Sequence, residues 1–180
     1  MKTRVTTCIR GVIGLTVLSL WASTAQAANP ATINVTVMIQ NLSVSATGPI
    51  AFGTVVASSV TVSSDSSHVV NDGNVTETYS LKLTDPGGWT AVQDVPGSEE
   101  YCLSAQFNSA QPLAGSFAYA DHALTTSSVP CAADKFDGDQ TGLSVPTSGA
   151  RYLWLKFEAP SGTVVTTQQT IVVTITAAAG

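Results

Sequence analysis

Apolar residues recur at every second position in Ile33-Asn34-Val35-Thr36-Val37-Met38-Ile39-Gln40. Ile33, Val35, Val37 and Ile39 share one face and Asn34, Thr36 and Gln40 the other, with Met38 the exception. A period of two is that of a strand with one buried face. The alternation returns in 75–84, where Val75, Tyr79, Leu81 and Leu83 align and Glu77 interrupts them, which suggests a position near a sheet margin. It returns again in 151–158, with Leu153, Leu155 and Phe157 set against Tyr152, Trp154, Lys156 and Glu158, and in 169–176, with Ile171, Val173 and Ile175 on one face. Weaker strand patterns fall at 44–56, broken by Gly48-Pro49, and at 60–70, 89–95 and 101–107. Asn71-Asp72-Gly73-Asn74 and Asp85-Pro86-Gly87-Gly88 are turn sequences, rich in residues that tolerate positive φ or lack a ladder donor. Residues 108–149 lose the pattern to Ser, Pro, Ala, Gly and Asp and predict a long loop region with at most one strand, near 117–120. Short strands in this number, separated by turns and without helical periodicity, predict an all-β fold, an antiparallel β-sandwich of seven or more strands.

The ends alter the domain boundaries. Lys2, Arg4 and Arg10 flank an apolar run, 11–21, that is too short to span a bilayer, and Ala25-Gln26-Ala27 has the small-x-small form of a cleavage site. Residues 1–27 therefore read as a secretory signal peptide and 28–180 as one β-sandwich domain. Residues 171–180 are Thr-rich and uncharged, so the mature chain is expected to carry no membrane anchor and to be secreted, extracellular or at the cell surface. Beyond the signal, Lys82, Lys135, Arg151 and Lys156 stand against all twelve acids. Nucleic acid is thereby disfavoured as a partner, since binding it relies on cations that neutralise phosphates. Cys102 and Cys131 are the two cysteines that remain, and in an oxidising compartment an even pair predicts a disulfide.

Candidate chemistry is sparse. The two histidines, His68 and His122, have no Gly-x-Ser-x-Gly elbow to serve, and the sequence neighbours Asp121 and His122 would diverge in a strand, so surface histidines and no enzyme activity are expected. Asp134, Asp137 and Asp139 crowd one segment, and Asp137-Gly138-Asp139-Gln140-Thr141-Gly142 opens like a calcium loop. Position 12 is Ser148 where a bidentate Glu would stand, so a solvated acidic turn with at most weak calcium binding is expected, and no other cofactor. Trp89, Tyr101, Tyr152 and Trp154 could form a sugar-stacking face or simply pack the sheets. Asn34, Asn41 and Asn74 each begin an Asn-x-Ser/Thr triplet, which a Thr-rich chain produces readily by chance.

Two stretches carry a resemblance. Pro49-Ile50-Ala51-Phe52-Gly53-Thr54-Val55-Val56, followed by Val69-Val70-Asn71-Asp72-Gly73-Asn74-Val75-Thr76-Glu77-Thr78-Tyr79-Ser80-Leu81, resembles immunoglobulin-like bacterial surface modules. That resemblance implies an immunoglobulin-like sandwich with Phe52 plugging one end and Gly73 in a turn between two antiparallel strands. The overall plan is also similar to secreted pilin-like proteins, the spore coat U group among them: a signal peptide, an alternating N-terminal strand, an "FG" strand and a final Thr/Val strand. In those proteins an N-terminal strand can complete the sandwich of the next subunit. The resemblance implies a structural or adhesive surface protein, a self-assembling fibre or coat subunit forming a homo-polymer joined by strand exchange, with 31–40 as donor and Ile33, Val35, Val37 and Ile39 as its inward residues; the alternative expectation for this strand is that it completes its own sandwich. The competing expectation is a monomeric extracellular module that binds glycan or calcium.

Overall fold

The computed structural model describes residues 32–180, so the expected signal peptide lies outside the described residues. The chain divides into units 1–37 and 38–180, and the sandwich belongs to the second. Its strands are β1 (Val44–Ala46), β2 (Val60–Val62), β3 (Ser67–Asn71), β4 (Glu77–Thr84), β5 (Thr90–Ala91), β6 (Glu100–Phe107), β7 (Val129–Pro130), β8 (Ala150–Glu158) and β9 (Val172–Ala179). A helical turn, α1 (Tyr119–His122), follows a short 3-10 turn at Ala114–Ser116.

A six-stranded sheet runs β1-β3-β8-β6-β5, and β2 also pairs with β8; a three-stranded sheet runs β7-β4-β9. β3 and β2 divide one edge of β8 between them, β3 opposite Ala150 to Leu153 and β2 opposite Lys156 to Glu158. Ser63 fills the break, its N–H donating to Leu155 O at 2.8 Å and its Oγ accepting from Leu155 N at 3.2 Å. Among these named strands every pairing is antiparallel except β5 with β6.

The all-β sandwich is thus as the alternation predicts. Tyr79, Leu81 and Leu83 of β4 meet Tyr101, Leu103, Ala105 and Phe107 of β6 and Leu153, Leu155 and Phe157 of β8 in one core. Each large side chain buried there stabilises the fold by about 1.5–3 kcal/mol. Glu77 opens β4, as a marginal residue should, yet it is fully buried.

Four expectations change. The 33–40 pattern forms no strand, and residues 32–43 have no regular structure. Of 44–56 only Val44–Ala46 enters a ladder, while Ile50, Phe52 and Val55 pack on the core from irregular backbone. No strand forms near 117–120: Phe117 and Ala118 are irregular and α1 begins at Tyr119, because this segment covers a sheet instead of extending one. The 71–74 turn joins β3 to β4 across the two sheets, so it is no hairpin.

Candidate functional site

β9 pairs along its whole length with β4, from Glu77 opposite Ala179 to Thr84 opposite Val172, and its other edge has no strand partner among the described residues. β1 of the larger sheet approaches β9 without pairing with it. The exposure of the core-facing side chains records this open flank. Tyr79, Leu81 and Leu83 on β4 are buried, whereas Val173, Ile175 and Ala177 on β9, with Ile171 just before it, are only partly buried. Val44, Ile50, Phe52 and Val55 around the same core are also partly buried, and the Phe52 ring lies 5.5 Å from that of Phe157. An open strand edge offers a row of unpaired N–H and C=O groups.

Ile33, Val35, Val37 and Ile39 are 80–88% exposed. From Ile39 onward, hydrogen bonds hold the chain to the sandwich. Asn74 Oδ1 accepts from Asn41 N at 2.8 Å, Asn74 Nδ2 donates to Ile39 O at 2.8 Å, and Asn74 N donates to Asn41 O at 3.1 Å. Two residues on, Ser43 N donates to Glu77 Oε1 at 2.8 Å and Ser43 O accepts from Asp72 N at 2.8 Å.

A polar layer covers the outer face of the large sheet. Cys102, Ser104 and Gln106 alternate with the core residues of β6, and Trp154, Lys156 and Glu158 with those of β8, and all six are buried. Lys156 Nζ lies 2.7 Å from Glu158 Oε1, donates to Phe117 O at 3.3 Å and sits 5.0 Å from the centre of the Tyr119 ring. Tyr119 donates its O–H to Glu158 Oε2 at 2.7 Å, and burial with that carboxylate pushes its phenol up to about 12.

His122 is buried here and not on the surface as expected. Its Nδ1 accepts from Ala118 N at 3.0 Å, which leaves Nε2 to donate to Asp137 O at 3.0 Å. Gln106 Nε2 donates to the same carbonyl at 2.9 Å. These groups turn on one another, an arrangement that holds a covering segment in place. His68 stands apart, its ring stacked on Tyr152 at 5.1 Å.

The expected bridge between Cys102 and Cys131 is not formed, and both are free, buried thiols. Cys131 belongs to the inner core, beside Phe107, while Cys102 follows Tyr101 on β6 and so faces the outer layer. The backbone of the large sheet lies between them. Burial raises both thiols, Cys131 to about 12.

Asp134, Asp137 and Asp139 are not gathered around a point. Asp139 accepts from Ser109 N at 2.6 Å and from Ser109 Oγ, Asp137 contributes its backbone carbonyl to His122 and Gln106, and Asp134 is exposed. Among the described residues no group of three or more His, Cys, Asp or Glu could hold a metal ion. Asp137 and Asp139 do line an open hollow of about 430 Å³, but Arg151 lines it too and opposes a cation.

Nor do the aromatics form one face. Tyr101 is in the core and Trp89 packs against it, 6.1 Å from Phe157, whereas Tyr152 and Trp154 lie on the outer side of β8. Trp154 donates its indole N–H to Asn108 O at 2.9 Å.

Comparison with protein families, curated proteins and solved structures finds no match to this chain. Sequence reasoning missed Asn74, Glu77 and His122 as organising residues. A carboxylate interrupting an apolar strand face was the available signal for Glu77. Asn74 and His122 gave none, since their partners are backbone atoms brought near only by the fold.

Proposed function

We propose that this protein is a secreted structural subunit that polymerises into a fibre or coat by strand exchange, the 33–39 segment of one copy adding to the open edge of β9 in another. The observation that carries this reading is the exposure of four apolar side chains at strand spacing in a chain where, among the described residues, the outer edge of β9 has no strand partner. Main-chain hydrogen bonds to the edge would supply affinity, and alternate side chains entering the partly buried flank would supply specificity. Each of Ile33, Val35, Val37 and Ile39 gains about 1.5–3 kcal/mol when fully buried, so leaving all four in water is costly. The resemblance to immunoglobulin-like and pilin-like surface proteins points the same way.

The test uses the mature chain and a variant lacking residues 28–40, compared by size-exclusion chromatography and negative-stain microscopy. The mature chain should form polymers, and the shortened one should stay monomeric and bind a synthetic peptide spanning 31–40. A mature chain that stays monomeric at high concentration, with 33–39 protected from hydrogen exchange, would overturn the reading.

A further inference from the structure

We propose that the 71–74 turn and Glu77 form a clamp on residues 39–43, with Asn74 and Glu77 acting as positioning residues for assembly. The inference rests on the strand-exchange reading. Asn74 uses its side-chain amide as a strand uses its backbone: Oδ1 takes the Asn41 N–H, Nδ2 meets Ile39 O, and its own N–H meets Asn41 O. Three bonds from one exposed residue therefore register the chain directly beside Ile39, the last apolar residue of the alternating segment.

Glu77 is the stronger sign of a dedicated device. Its side chain is fully buried and forms no ion pair among the described residues. Oε1 accepts from Ser43 N, and Oε2 has no hydrogen-bond partner. Taking a carboxylate out of water is costly, and an apolar residue would serve the core better. What the carboxylate supplies is an acceptor for the backbone of the 39–43 segment. Gly73 makes the approach possible: a Cβ there would lie 2.5 Å from Asn41 O and would overlap Glu77 Oε1. Its necessity is steric, for its φ is not in the left-handed region.

A clamped base reduces the conformational freedom that a donor strand loses on docking, which is how preorganisation raises affinity and rate. Asn74 is exposed, lies outside the core cluster and bonds through its side chain to Ile39 O and Asn41 N, so its removal separates positioning from folding. In Asn74→Ala the melting temperature should hold, exchange of the Asn41 amide should rise about tenfold with the loss of its acceptor, and polymer elongation followed by light scattering should slow several-fold. Asn74→Asp, which keeps the acceptor for Asn41 N, should recover part of both effects. Wild-type elongation by Asn74→Ala, or unchanged exchange at Asn41, would overturn the clamp while leaving strand exchange intact. Failure of the wild-type chain itself to assemble would remove the strand-exchange reading, and the clamp's role in assembly with it.

Discussion

Lys156 and Glu158, two residues apart on the outer face of β8, form a buried ion pair with Nζ 2.7 Å from Oε1 beneath α1 and the turn before it. The pair is also the fastening of the cover, since Glu158 accepts from Tyr119 and Lys156 donates to Phe117 O. Removing one partner leaves a buried charge without compensation, at a cost of about 3–5 kcal/mol. Lys156→Met should therefore lower stability in urea by roughly that amount. The double variant Lys156→Met with Glu158→Leu should recover much of it, because neither charge then remains. Equal stability of the single variant and the wild type would mean that the ion pair is not desolvated.

The thiols make a prediction about alkaline pH. Cys131 is raised from 9.0 to about 12 in the folded chain, chiefly by burial. Between those values the unfolded chain has lost the proton and the folded chain keeps it, so unfolding releases a proton and stability falls as pH rises. The contribution is fully present below about 9 and is lost as pH climbs toward 12. Tyr79, raised from 10.0 to about 12 by burial and by Glu77, acts in the same direction over the upper part of that range. The urea midpoint should drop between pH 8 and pH 10.5 (about these values, chosen to bracket the onset), and less steeply in Cys131→Val. At neutral pH neither thiol should react with iodoacetamide until the chain unfolds, after which both should. A native mass two hydrogens lighter than the reduced chain would show instead that the two cysteines are bridged.

Val35→Asp tests the apolar face of the proposed donor. Val35 is 80% exposed, so the change should leave the stability of the monomer within about 0.5 kcal/mol of wild type. Burial of that charge in a neighbour's flank would be prohibitive. Polymer formation should therefore be lost while circular dichroism is unchanged; polymers of normal length would count against insertion of this face.

His122 predicts a local effect. Replacing it with Ala leaves Ala118 N without its side-chain acceptor and Asp137 O with Gln106 as its remaining side-chain donor. Each buried polar group left unsatisfied costs about 1–3 kcal/mol. Hydrogen exchange should accelerate within 113–137 and leave β4 and β9 protected. Uniform acceleration across the sandwich would show that the cover does not open separately.

The alternating residues of β4, β8 and β9 were legible in the sequence because a half-buried strand imposes its period of two on the residues themselves. The same rule set Leu153, Leu155 and Phe157 on one face, whereas the separation of Cys131 in the core from Cys102 on the outer side of β6 depends on how the strands pack. Pattern also singled out 33–40, where the backbone is not in a strand. Local sequence records that a segment is suited to pairing, and only the arrangement of whole strands decides whether an edge is within reach. The outer faces of β6 and β8 carry Ser, Gln, Lys and Glu, which read as solvent-facing, and they are buried because the 113–123 segment, with its 3-10 turn and α1, folds over them and supplies Tyr119, His122 and backbone carbonyls as partners. Glu77 follows the same logic: its acceptor role depends on Ser43, thirty-four residues earlier in the chain, and such a pairing exists only once the two sheets have met.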